Sequence, residues 1–127
     1  MNRSEAFAEL RKRGIAKVVV AFSGGGDEGG CDDITLFNAE GAKVGTLQEE
    51  YVGERWDATL QKWVPMGDRT ADGDLADVLC RPVYDKYYTF AGEFHVHGEV
   101  VWDVTKGTVN MQGSESVERY DDFEDEV

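Results

Sequence analysis

Apolar positions mark out most of the elements of this chain before any other property is considered. In residues 4–13, SEAFAELRKR, Ala6, Phe7 and Leu10 fall on one face of a short helix. Ser4 stands where an N-cap is expected, basic residues fill the last turn, and Gly14 supplies the stop. The run IAKVVVAF follows at once and barely alternates. That pattern predicts a central strand covered on both faces. DITLFNAEG reads as a second strand ending in a turn at Glu40-Gly41, with AKVGTL as its hairpin partner. Residues 51–65 read as another hairpin, with Trp56 and Trp63 flanking a turn near Asp57 to Gln61.

The stretch GDLADVLCRPVYDKYYTF carries Leu75, Val78, Leu79, Pro82 and Val83 on one face and predicts the main helix. Asp72 or Asp74 is expected to cap it, and Pro82 to kink it or end its first half. GEVVWDVTKGTVNMQG is the clearest hairpin. Val100, Trp102 and Val104 alternate before a Lys106-Gly107 turn, and Val109 and Met111 alternate after it. The order is helix, strand, loop, strands, helix, strands. It predicts an α+β fold: a mostly antiparallel sheet with a short N-terminal helix and one longer central helix packed on one face. Residues 1–120 are expected to form one domain, followed by an acidic tail at 121–127 of low local hydrophobicity and partial disorder.

Composition adds bounds. A chain of 127 residues, 41% hydrophobic and 11% aromatic, is long and apolar enough to bury a core without staples. No apolar run approaches the roughly 20 residues of a membrane helix, and the N-terminus lacks the apolar region of a signal peptide. Cys31 and Cys80 lie far apart in a spacing unlike metal motifs, so reduced thiols in a cytosolic protein are expected.

Charge changes the picture most. There are 26 acidic and 13 basic residues, a net of −13. Residues 1–22 carry five basic and two acidic side chains, a local +3, so the remaining 105 residues carry −16. The last thirteen hold seven acids against Arg119. Such a field repels nucleic acid and anionic membrane and attracts basic surfaces, including the groove of a protein that itself binds DNA or RNA.

Candidate chemistry centres on FSGGGDEGGCDD, residues 22–33, read as a loop with five glycines and four carboxylates after Phe22. Gly24, Gly26 and Gly29 match a dinucleotide-type glycine spacing. The following segment reads as strand rather than helix, and the acids would repel phosphate, so a phosphate cradle is disfavoured. Asp27, Glu28, Asp32 and Asp33 offer hard oxygen ligands suited to calcium or magnesium, in a spacing unlike an EF-hand. His95 and His97 lie two apart, so a strand points both to one face, where Glu93 or Glu99 could complete a zinc site. Cys31 sits among carboxylates that disfavour a thiolate, and Cys80 reads as core. Trp56, Trp63, Tyr84, Tyr87, Tyr88 and Phe90 read as core and rim rather than as a stacking platform for nucleic acid.

Three stretches carry a resemblance: RGIAKVVVAFSGGGDEGGCDDI, LADVLCRPVYDKYY and the closing GEVVWDVTKGTVNMQGSESVERYDDFEDE. They resemble a family of small uncharacterised bacterial proteins, a domain of unknown function found on phages, plasmids and integrated elements. The matching motifs here are Gly24-Gly25-Gly26-Asp27-Glu28-Gly29, Asp32-Asp33, Trp102-Asp103-Val104 and Glu118-Arg119-Tyr120. Glu28 departs from the small residue usual beside Asp27, and residues 43–70 look individual. The resemblance implies a cytoplasmic protein of a mobile element and brings no activity with it.

Together these readings predict a non-enzymatic inhibitor without a cofactor. It would bind the basic groove of a host nucleic-acid-handling defence protein, in the manner of an anti-CRISPR or anti-restriction DNA mimic. The expected contacts are Asp27, Glu28, Asp32, Asp33, Asp121, Asp122, Glu124, Asp125 and Glu126. Two alternatives stay open: a metal-binding protein using the acidic loop or the histidine pair, and a homodimer joined through the exposed edge of the last hairpin.

Overall fold

A computed structural model describes residues 1–26, 28–49, 54–65, 70–87, 95–116 and 120–127. Ten elements follow in order: α1 (Arg3–Lys12), β1 (Lys17–Gly25), β2 (Glu28–Phe37), β3 (Lys43–Leu47), β4 (Glu54–Asp57), β5 (Lys62–Pro65), α2 (Ala71–Tyr87), β6 (His95–Asp103), β7 (Thr108–Ser116) and β8 (Tyr120–Glu126). Six strands form one sheet in the order β3-β2-β1-β6-β7-β8, with every pair antiparallel. β4 and β5 form a separate two-stranded sheet in which Trp56 faces Trp63. The α+β class and the two helices on one face are as expected.

Local chemistry explains the helix ends. Asn2, not Ser4, caps α1: its side chain accepts from the Glu5 N–H, and the Glu5 carboxylate accepts from the Asn2 N–H. This reciprocal pair satisfies two free donors, which Ser4, already the second residue of the helix, cannot do. At α2 the cap is Thr70, whose Oγ1 accepts from the Gly73 N–H at 3.1 Å; Asp72 and Asp74 lie in the first turn instead. The helix runs on through Pro82. That proline removes the N–H that would bond the Val78 carbonyl, and the next carbonyl, Leu79 O, accepts from Trp102 Nε1 at 3.2 Å.

The core lies between the helices and one sheet face. Val18, Val20 and Phe22 of β1, Val96, Val100 and Trp102 of β6, and Val109 and Met111 of β7 point into it against Phe7, Leu10, Leu75, Leu79 and Val83. Phe7 meets the Trp102 ring at 5.3 Å. Each fully buried side chain of this size contributes roughly 1.5–3 kcal/mol.

β1 is central, but among the described residues it is covered on one face only. Its burial alternates, with Val19 and Ala21 half-exposed on the far side. Its unbroken apolar run therefore reflects half-buried small and branched residues rather than a second helical layer.

The glycine-rich segment is not a loop. β1 and β2 pair through it from Lys17–Phe37 out to Gly25–Glu28, and Gly26 at the tip takes φ +59. The segment expected as an acidic tail forms β8, paired with β7 from Ser116–Tyr120 to Asn110–Glu126. Its low hydrophobicity is offset by apolar contacts at the core edge, Phe123 within the strand and Val127 just after it. Phe123 packs on the core edge under the Lys86 ammonium, 3.9 Å from the ring centroid. β8 also covers β7, so the last hairpin has no free edge, and the outer strands are β3 and β8. Among the described residues, no helix is long and apolar enough to cross a membrane.

Candidate functional site

One sheet face carries the helices; among the described residues no element covers the other, which is rich in polar side chains. Strand alternation places Lys17, Val19, Ala21 and Ser23 of β1 on this open face. Opposite them, in register, stand Asp103, Val101, Glu99 and His97 of β6, with His95 one step further along, opposite Gly25. Across four pairings one row runs Asp33, Ala21, Glu99, Gln112, Glu124. Carboxylates occupy alternate strands in it, so neighbouring acids are about 10 Å apart, two interstrand spacings. All three are exposed. Next to this row runs a second, Ser23, His97, Ser114. The two rows border a trough of about 700 Å³ whose acidic walls are Asp32, Glu99 and Glu124. Small residues form its floor. Gly98 and Gly113 face one another across β6 and β7, and a Cβ on either would collide with the opposing backbone, the Gln112 carbonyl for Gly98 and the His97 carbonyl for Gly113.

A β-bulge sets the acid pattern. Ala21 pairs with Asp33, but Phe22 pairs with Cys31, which leaves Asp32 as the extra residue. Its carboxylate turns to the open face and accepts a 2.7 Å hydrogen bond from Ser23 Oγ. An unbulged strand would point Asp32 into the core and Cys31 outward. Two adjacent acids thus share one face, which simple alternation forbids.

The expected contact residues divide accordingly. Asp32, Asp33 and Glu124 line the open face, Glu126 extends it, and Glu28 sits exposed at the hairpin tip. Asp125 alternates to the other face, where the Lys86 ammonium lies 3.4 Å away. Asp27 lies outside the described residues, as do the side chains of Asp121 and Asp122. His95 and His97 do share one face, both exposed, and Glu99 is on it; Glu93 lies outside the described residues. Among the described residues neither the histidine pair nor Glu28, Asp32 and Asp33 belong to a group of three ligand atoms within 4.8 Å of one another.

One group does meet that distance: Cys31, Glu49 and Cys80. Sequence spacing gave no sign of it, because the residues come from β2, the segment just after β3, and α2. Cys31 faces the helices only because of the bulge. Cys80 is fully buried, and its thiol is pushed far above the usual range, first by its hydrogen bond with Cys31 and then by burial. Tyr84 Oη donates to Glu49 Oε1 at 2.8 Å beside them. Trp56 and Trp63, expected as core or rim, are 51% and 61% exposed and pack edge to face at 5.7 Å.

No curated protein and no solved structure matches the chain. A family model matches residues 1–127, its whole length. On that match the chain belongs to the family of unknown function DUF6878.

Proposed function

We propose that this protein is a non-enzymatic, cytoplasmic interaction protein of a bacterial mobile element or phage. Its acidic sheet face binds the basic groove of a host nucleic-acid-handling defence protein, such as a CRISPR effector or restriction enzyme, and inhibits it by occupying the place of DNA. The row Asp33, Glu99, Glu124 on the open face carries the reading. Regularly spaced carboxylates over a floor of small residues offer separate seats for arginine and lysine side chains, and a net charge of −13 steers a basic partner in from a distance. Direct binding of nucleic acid is disfavoured by the same field.

The test is capture from host-cell lysate on the immobilised protein and on a variant combining Asp33→Lys, Glu99→Lys and Glu124→Lys. A nucleic-acid-handling protein held by the first, lost by the second and released by salt or by excess DNA is the expected result. Capture that ignores both salt and the charge reversal would remove the acidic face from consideration.

A further inference from the structure

We propose that Cys31, Glu49 and Cys80 bind a single zinc-class divalent ion, through two thiolates and one carboxylate, with the fourth position left to water. This site is on the helix-covered side and is independent of the acidic-face reading. The three ligand atoms already lie within 4.8 Å of one another. In a tetrahedral site with zinc–sulfur bonds of about 2.3 Å, ligand sulfurs are about 3.8 Å apart, so closure asks for shifts below about 1 Å. The donor set selects the metal class: thiolates favour zinc and its borderline neighbours over calcium and magnesium, which need oxygen cages.

Two features around the ligands support the assignment. Tyr84 Oη donates to Glu49 Oε1, the kind of outer hydrogen bond that holds a ligating carboxylate in orientation. Residue 30, beside Cys31, is glycine, and a Cβ there would lie 3.1 Å from that hydroxyl, tighter than ordinary packing. Space for Tyr84 to reach Glu49 is thus provided by the residue next to a ligand. A cavity of about 240 Å³ opens beside two of the three ligands, Cys31 and Glu49, and is lined also by Asp32 and Asp33. The bulge at Asp32 is what turns Cys31 toward Cys80, so it serves both faces of the sheet.

Untagged full-length protein, reduced and stripped of metal with a chelator, is titrated with cobalt(II). Expected are one equivalent of uptake, tetrahedral ligand-field bands, a thiolate-to-cobalt charge-transfer band, and displacement by zinc but not by excess calcium or magnesium. Metal should also slow alkylation of Cys31. Cys80 is buried, so its replacement risks unfolding; half-buried Cys31 and exposed Glu49 carry the test. With circular dichroism unchanged, Cys31→Ser should abolish the charge-transfer spectrum at one equivalent. Glu49→Gln and Tyr84→Phe should weaken affinity by about tenfold to a hundredfold. The proposal is overturned by a reduced protein that takes up no cobalt, or by uptake that survives Cys31→Ser. It is equally overturned if, with oxidised glutathione as the oxidant, a Cys31–Cys80 disulfide closes as fast with excess zinc as without it.

Discussion

Single side chains at the sheet margins tie this fold to its protonation state. Tyr87 lies over Phe22, with ring centroids 5.8 Å apart, and its hydroxyl donates to Glu115 on β7. Burial first, and then that hydrogen bond to an anion, hold its phenol above the usual tyrosine range. A raised folded-state pKa means that the stabilisation is whole below the pKa of the unfolded chain, about 10, and is lost as the pH climbs from there toward the folded value. Urea denaturation should therefore show stability falling more steeply above about pH 10 in the parent than in Tyr87→Phe. Parallel curves would mean that the Tyr87–Glu115 contact does not discriminate between phenol and phenolate. Such contacts are invisible in sequence: Tyr87 and Glu115 are 28 positions apart and each, read alone, is an ordinary amphipathic residue.

Among the elements, the β4–β5 hairpin stands apart from the main sheet. Its pairing, Trp56 against Trp63, follows directly from the sequence; its exposure does not. Two large rings in one hairpin look like core until the six-stranded sheet is seen to fill its interior with Trp102, Phe22 and valines instead. Acrylamide quenching should accordingly resolve two accessible tryptophans and one protected. The double variant Trp56→Phe, Trp63→Phe should retain only the protected emission of Trp102, with a melting temperature close to the parent. Full protection of all three would mean that the hairpin is covered in solution. β8 teaches the converse lesson. Its acids were legible and its strand state was not, because the apolar contacts of Phe123 and Val127 and backbone pairing to β7 outweigh local polarity. The same acids on an outer strand discourage pairing with a second copy's edge.

The whole molecule carries its charge as an unbalanced load. The ion pairs Arg13–Glu9, Arg13–Asp72, Arg81–Asp77 and Lys86–Asp125 all have partners at least a quarter exposed, a class that contributes roughly 0–1 kcal/mol each. Self-repulsion from a net −13 should outweigh them. Calorimetry is expected to show the melting temperature rising between about 0.01 M and 0.5 M salt, as the screening length falls from about 30 Å to a few ångströms. A fall would show that the ion pairs, not the repulsion, dominate. Salt would thus stabilise the protein while weakening its capture of a basic partner, a pair of opposite responses from one charge distribution.

Periodicity was enough for the class, the two helices, three of the hairpins and the inward residues of both helices and of the β6–β7 hairpin, because these depend on short-range alternation and helical spacing; it misassigned the faces of β1. Charge totals likewise need no coordinates. Which acids act together does need them. Asp33, Glu99 and Glu124 align through strand register, Asp125 leaves that row by a single step of alternation, and Asp32 joins its face through one bulge. The meeting of Cys31, Glu49 and Cys80 depends on that same bulge and on the packing of α2 against β2. A one-residue shift inverts every facing on a strand, and no local pattern encodes it.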